Sequence, residues 1–568
     1  MAVQFLLFAH AASSVLVYQD VNILAVTDVH AWIAGGDRQT SEYDPPITHT
    51  SLDATFGDLI SFAARTKAAA QAQGKDIFLV DNGDIVDGTG LSNVVDDHCT
   101  DILPLYATVP FDALNCGNHE LYDNKTLRAF KSSGYIAGWK GSYLTSNLAW
   151  SDGVKAGESI GAKFKLLVGP TSGVRLLAFG FMYDMLRTEG RCAAVDLITV
   201  ESTVTSSWFT AALTATHLDA VLILAHMDAH EPLLATIVSA IRKVLPEIPI
   251  QIIAGHSHVR ATAMIDPRAA VFEPGNYFNT VGFASFDLPP STPMRKRKER
   301  RKDVAESVSS NATALDDASI KFTFIDLDTS IAHLASSVGT ISSKLPTTAG
   351  AALTAAIAAK RAELGLSTVL GCSTKHYAQG AELNALYFGQ VVPEELFTPP
   401  RNASQFFIQS TSGLRYDLYQ GNVTVDDCFY ILPFKDTFSI IRLQTAATLK
   451  KLLVELNHAP PPAAHWRASA ATASPSRVFG GSFYDSFPSL SGVAPMHFFD
   501  LIVVSFDLPF IEEALRKVAA GGAAKTFDVV PFRAAENYTD TKMFESFVNA
   551  SLGGGPCMPE VTSSDESR

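Results

Sequence analysis

The chain of 568 residues is long enough for two ordinary domains, and its 47% hydrophobic and 18% charged residues mark it as globular and core-rich. A formal net charge of −14 excludes a general nucleic-acid binder, because a phosphate backbone repels an acidic surface. It leaves a small phosphorylated substrate open, since bound metal ions reverse the local field.

At the N-terminus, residues 3–17 (VQFLLFAHAASSVLV) form a short apolar run followed by small residues, the outline of a signal peptide over 1–20. Apolar strand-like runs follow at 22–27, 76–80, 111–116, 174–182, 219–225, 248–254 and 278–288. Between them, 58–73 and 231–245 carry apolar residues at three- and four-residue spacing and are predicted helices. This alternation predicts an α/β layered domain over 21–330. Within it, 289–319 holds PPSTP, the basic run RKRKERRK and a Ser/Asp/Ala-rich stretch, which cannot bury a core and reads as a disordered insertion. FTFIDL (322–327) is one further strand, and 349–365 is a helix within a linker over 331–365. A second domain of mixed composition spans 366–555, interrupted by a Pro/Ala-rich loop at 458–476, and 556–568 is a polar tail without a lipid-anchor signal.

The six cysteines show no C-x-x-C pair, so neither a zinc finger nor a dithiol redox motif is indicated, and Cys116 reads as a buried free thiol. N-x-S/T sequons at Asn124, Asn311, Asn402, Asn422, Asn537 and Asn549 favour the secretory route, extracellular or vacuolar. No apolar run reaches the length of a membrane span.

Five short segments place a metal-ligand residue type where an apolar strand ends: AVTDVH (Asp28, His30), DNGDIVDG (Asp84), CGNHE (Asn118, His119), LAHMDAH (His226) and IAGHSH (His256, His258). In α/β sheets, ligands collect beyond the carboxyl ends of strands, so residues distant in sequence can converge there. Carboxylates, an amide and imidazoles together suit Zn, Mn, Fe or Co better than the all-oxygen cages of Ca and Mg. The D-x-H and H-x-H spacings are expected to put two side chains on one side of an extended backbone. Asp81 and Asp87 read as residues that cap the turn or support the ligands around Asp84 rather than as ligands, and His230 as a surface histidine, because its segment lacks the Glu of H-E-x-x-H.

In this order, D-x-H, G-D-x-x-D-G, G-N-H-E, H and G-H-x-H resemble the calcineurin-like metallophosphoesterases, and within them the 5′-nucleotidase group in its fungal-type branch. The resemblance covers most of 22–288. It implies a four-layer αββα metallophosphoesterase domain followed by a smaller α+β 5′-nucleotidase C-terminal domain. It also implies two divalent ions, one held by Asp28, His30, Asp84 and His258 and the other by Asp84, Asn118, His226 and His256, with Asp84 bridging. His119 would protonate the leaving oxygen while a water activated by the ions attacks phosphorus in line. The family's catalytic His is partnered by an Asp three residues on; here that position is Tyr122, and Glu120 or Asp123 are the candidates to orient His119.

A further resemblance lies in SGLRYDLYQGNVTVDDCFYILPFKDTF (412–438), which is similar to the substrate-binding stretch of the 5′-nucleotidase C-terminal domain. It implies that Arg415 binds substrate and Phe434 stacks on the base; apart from the resemblance, Phe506 or Phe510 in VVSFDLPF is the candidate for a second stacking aromatic. The usual upstream Asn is Ser410, and the family's Arg-rich segment is absent around Cys372–Tyr377. The expected activity is hydrolysis of phosphomonoesters, foremost 5′-nucleotides. The alternatives are a nucleotide-sugar or cyclic phosphodiester substrate on the same fold, and a non-catalytic secreted binding protein on the same scaffold.

Overall fold

The structure, a computed structural model, describes residues 15–35, 52–151, 153, 156–186, 190–289, 320–397, 404–458, 484–488, 490–518, 526–532, 538–553 and 555–557. The signal-like segment through residue 14, the basic insertion from 290, the Pro/Ala-rich stretch from 459, and Asn311, Asn402 and Asn537 lie outside the described residues. Two compact units are present: residues 1–85, 103–185 and 192–358, and residues 86–102, 186–191 and 359–568.

The first unit contains β1 (Val21–Val26), β2 (Phe78–Asp81), β3 (Ala113–Leu114), β4 (Leu148–Trp150), β5 (Phe164–Val168), β6 (Arg175–Met182) and β7 (Val195–Leu197), of which β4, β5 and β7 lie outside the predicted apolar runs. They continue as β8 (Ala220–His226), β9 (Ile250–Ile253), β10 (Arg260–Asp266), β11 (Ala269–Pro274), β12 (Thr280–Phe286) and β13 (Phe322–Asp328). One sheet has the order β13-β12-β1-β2-β3 and the other β10-β11-β9-β8-β6-β5, while β4 and β7 form a small ribbon. Strands β1, β2 and β3 run parallel, as do β6, β8, β9 and β11.

The two sheets share one core. Val21, Ile23 and Ala25 of β1 and Phe78 and Val80 of β2 pack with Leu176 and Ala178 of β6 and Ala220, Leu222 and Leu224 of β8. Every residue of β8 is buried, so both faces are covered; that is why its sequence is a continuous apolar run rather than an alternation. Each such fully buried Leu or Phe contributes about 1.5–3 kcal/mol. The helix Phe56–Ala72 is closed by a capping box, with Thr55 accepting from Asp58 N–H and Asp58 accepting from Thr55 N–H. The helix Pro232–Val244 starts on Pro at its first turn and buries Leu234, Ile237, Val238 and Ile241. The β10–β11 hairpin has no counterpart in the sequence reading: its alternation is short, and its outer strand is half exposed.

The second unit contains β14 (Val369–Ser373), β15 (Gln405–Ser410), β16 (Gly421–Thr424), β17 (Phe438–Thr445), β18 (Tyr484–Phe487), β19 (Phe498–Val504) and β20 (Val529–Pro531). Five of them form a sheet of order β18-β15-β19-β17-β20, and β14 pairs with β16. Alternate residues feed two cores: Phe407, Ile440 and Ile502 face one, and Phe406, Ile441 and Leu501 the other. Among the described residues, no helix is long and apolar enough to cross a membrane.

A disulfide joins Cys372 in β14 to Cys557, and the Cys557 N–H donates to Asn422 Oδ1 in β16 (2.7 Å). Cys99, Cys116, Cys192 and Cys428 are buried thiols outside this disulfide. Closing a loop of this length restricts the unfolded chain. Cys557→Ser should therefore lower the unfolding free energy by about 2–4 kcal/mol, read by denaturant titration, and reductant should abolish the difference from wild type.

Candidate metal centre

At the carboxyl ends of β1, β2, β3, β8 and β9 the chain leaves the sheets through sharp turns that carry the expected side chains inward. Asp28, His30, Asp84, His256 and His258 all have positive φ, between 48° and 74°. The D-x-H and H-x-H pairs therefore do not sit on extended backbone as their spacing suggested. Left-handed turns, not strand alternation, aim them, because an extended run would carry the chain past the site. Gly117 and Gly255 serve close approach: a Cβ on Gly117 would lie 2.1 Å from Asp84 Oδ1, and one on Gly255 2.7 Å from Asp28 Oδ2.

Two sets of ligand atoms converge. Asp28, His30, Asp84 and His258 form one, and Asp84, His226 and His256 the other, each with its donor atoms within 4.8 Å of one another. His226 Nε2 lies 3.1 Å from Asp84 Oδ2 and 3.0 Å from Asn118 Oδ1, so Asn118 joins the second set. His30 Nε2 is 3.6 Å from Asp84 Oδ2 and 3.2 Å from His258 Nε2. His258 Nε2 is 3.4 Å from Asp28 Oδ1. His119 stands beside both sets, its Nε2 4.0 Å from Asp84 Oδ2 and its ring edge-on to His30 at 4.6 Å.

Atoms of His226, His258 and Asp28 outside the cluster are committed to other partners, which orients these side chains. His226 Nδ1 meets Asn82 O (2.9 Å), and His258 Nδ1 meets Asn276 Nδ2 (2.9 Å). Asp28 accepts from Thr27 Oγ1 and from His256 N–H. Tyr183 stacks on His256 at 4.6 Å. The Asn115 amide donates to Asn82 Oδ1, Phe181 O and Leu224 O, tying the end of β2 to β6 and β8 across the two sheets.

Two buried carboxylates clamp the turns. Glu120 accepts from the N–H groups of Asp84, Ile85 and Gly117. Glu273, in β11, accepts from Ala229 N–H, Ser257 N–H and Ser257 Oγ. Glu120 thus holds the loops around His119, and Asp123 is exposed at the start of the helix Asn124–Ser132. Sequence reasoning missed Glu273, although a lone acid in the apolar run AAVFEP was its signal. Asp81 caps its turn through Gly83 N–H and also accepts from Tyr106 OH, while His230 is an exposed histidine against Asp228.

The electrostatics fit a divalent cation. Burial pushes the Asp28 and Asp84 carboxyls up, but neighbouring imidazoles, His226 first, outweigh it and hold both well below the usual range. Burial, with His119 or His226 adding to it, lowers His30 and His256 to about 3, leaving both neutral. Burial opposes protonation of His226, yet Asp84 and Asp28 raise it to about 10. Ionised carboxylates and neutral imidazoles are the forms that bind metal, and a cation held by the same atoms would replace the His226 proton.

In the second unit, the Arg415 guanidinium carbon lies 5.5 Å from the centroid of the Phe434 ring. Phe434 and Phe506 are nearly parallel (15°) with centroids 6.5 Å apart, whereas Phe510 is tilted 49° to Phe506. Asp436 accepts from Phe506 N–H and Ser505 Oγ and so ties together the two loops that carry the parallel rings. Ser410 caps its own turn and donates its N–H to Asp507.

Residues 21–260 match the calcineurin-like phosphoesterase family, and residues 371–482 match the C-terminal domain of NAD nucleotidase. An uncharacterised protein of Schizosaccharomyces pombe is 29% identical over 433 residues, 74% of this chain and 69% of that protein. A protein of Arthroderma benhamiae named a secreted protein is 27% identical over 479 residues, 78% of this chain and 68% of its own. The crystal structure of a 5′-nucleotidase from Candida albicans superposes with a TM-score of 0.78 at 20% identity, covering 94% of this chain and 99% of that one, which shows a common fold.

Glu273→Ala would leave buried N–H groups at Ala229 and Ser257 without their acceptor. The expected cost is about 3 kcal/mol in denaturant unfolding, with Glu273→Gln, which keeps one of the two acceptor oxygens, recovering part of it; equal stability of all three proteins would contradict the clamp.

Proposed function

We propose that this chain, a hydrolase in which a calcineurin-like phosphoesterase domain precedes a 5′-nucleotidase-type C-terminal domain, removes the phosphate from 5′-nucleotides with two divalent ions. The observation that carries the reading is Asp84, whose carboxylate belongs to both clusters of ligand atoms. Asp28, His30, Asp84 and His258 would hold one ion, and Asp84, Asn118, His226 and His256 the other. Zn, Mn, Fe or Co suits this donor set. Bound there, the ions supply Lewis-acid charge to the phosphoryl oxygens and acidify a water for in-line attack.

The chain's own residues do the rest. His119 Nε2, beside the bridging carboxylate, is placed to give a proton to the leaving oxygen. The buried walls of the site exclude bulk water, which strengthens each charge interaction within it. Arg415 offers a planar fork for phosphate or ribose oxygens. A base between two aromatic faces needs roughly 7 Å, twice a carbon–carbon contact, and the spacing of Phe434 and Phe506 is close to that. The Candida protein's description as a 5′-nucleotidase supports the same substrate class. The signal-like N-terminus, the Cys372–Cys557 disulfide and the relative named as secreted support a secretory destination, extracellular or vacuolar. The exposed sequons Asn124, Asn422 and Asn549 are then candidate glycosylation sites.

AMP should be the best substrate in a panel with UDP-glucose, 2′,3′-cyclic AMP and a generic aryl phosphate, and chelation should remove activity that added metal restores. Hydrolysis of the generic ester alone would sink the nucleotide reading, and preference for UDP-glucose or the cyclic ester would move it to a diester. Fewer than one bound ion per chain, with no hydrolysis, would make this a binding protein. Asp84→Asn should lose metal and activity together, whereas His119→Ala should slow turnover about 100-fold or more with metal retained. Phe434→Ala should raise KM for AMP about 10-fold, the worth of one stacking face, and shift KM for the aryl phosphate much less.

A further inference from the structure

We propose that Tyr122 is a positioning residue that fixes the Asn118 amide toward the second ion and braces the His119 ring. This rests on the two-ion reading of the site but not on the identity of the substrate.

Residues 118–122 form one helical turn: His119–Leu121 is a 3₁₀ segment, and both flanking residues, Asn118 and Tyr122, have right-handed helical φ and ψ. Residues 118 and 122 therefore fall on the same side of the chain. Asn118 Nδ2 donates to the Tyr122 hydroxyl at 2.8 Å. An amide whose nitrogen is committed on one side presents its oxygen on the other, and Asn118 Oδ1 indeed lies 3.0 Å from His226 Nε2, among the ligand atoms. Rotated by half a turn, the same amide would turn N–H donors toward a cation, which is repulsive. The cation disfavours that flipped state, and the Tyr122 hydroxyl, accepting from Nδ2, holds the amide in the orientation that ligates.

The ring of the same residue does a second job. It meets the His119 ring at 4.8 Å and 79°, an edge-to-face contact, while His30 meets His119 edge-to-face from another direction at 4.6 Å. The His119 N–H is also anchored, donating to Asp84 Oδ1 at 2.8 Å. A carboxylate at position 122 would act on the imidazole through charge. A tyrosine constrains it by shape and spends its polar group on the neighbouring ligand. The two parts of one side chain, hydroxyl and ring, are thus assigned to two different neighbours, and substitution can separate them.

The experiment titrates the chelated, full-length protein with Co²⁺, following d–d absorption and fitting the two binding steps, and measures kcat on AMP with saturating metal. In Tyr122→Phe, which keeps the ring, the second Co²⁺ should bind about 10-fold more weakly while the first binds as in wild type. Tyr122→Ala should show the same loss and, in addition, a kcat lowered beyond that of Tyr122→Phe. Wild-type affinity for both ions in Tyr122→Phe overturns the amide-positioning role, as does an equal weakening of both ions, which marks general damage to the fold. Equal kcat in the Phe and Ala variants overturns the role of the ring. Uptake of a single ion by the wild type overturns the two-ion reading, and the proposal with it.

Discussion

Seven side chains of metal-binding type must meet at the strand ends, and most of them hang from backbone in a conformation that side chains avoid. Left-handed φ costs a non-glycine residue on the order of 1 kcal/mol or more, and Asp28, His30, Asp84, His256 and His258 all adopt it. That strain persists because the surrounding structure over-determines it. Glu120 and Glu273 each gather N–H groups from different turns, so that none of these turns can relax alone. Both acids are fully buried, and burial raises their pKa values, Glu120 to about 7; their cost is offset by the N–H groups they bind.

The rest of the first unit can be understood as support for that arrangement. Two sheets packed face to face bring the carboxyl ends of β2, β3, β6 and β8 within reach of one another, and Asn115 stitches them by three hydrogen bonds from a single amide. A metal site on mobile loops would lose precision; here each turn is anchored within one or two residues of a strand end. Asp84 is the point where the demands meet: its side chain serves both ligand sets, its N–H is held by Glu120, and its Oδ1 anchors the His119 backbone.

The second unit brings two aromatic rings together across its loops. Phe434 and Phe506 come from segments 72 residues apart, and Asp436 fixes one loop against the other. Phe434 is partly exposed and Phe506 exposed, whereas Tyr387, Tyr416 and Phe407 of the same unit are buried.

Much of this was legible in the sequence. Hydrophobic periodicity placed β1, β6, β8 and the helices Phe56–Ala72 and Pro232–Val244 within a few residues, because buried strands and amphipathic helices write their contacts into the chain. The candidate cluster was legible too, since Asp28, Asp84, His226 and the two G-flanked histidine segments interrupt apolar runs at strand ends, and the structure brings them together. Other features were decided by tertiary structure. The β10–β11 hairpin, the left-handed turns at the ligands, and the choice of Phe506 over Phe510 opposite Phe434 each depend on neighbours far away in the chain. So does the work of Glu120 and Glu273, because a buried acid announces only that it needs partners, and the partners are backbone N–H groups that have no sequence signature. Residue type determined what chemistry this chain could hold; only the packing of two sheets determined where those groups would meet, and which way they would point.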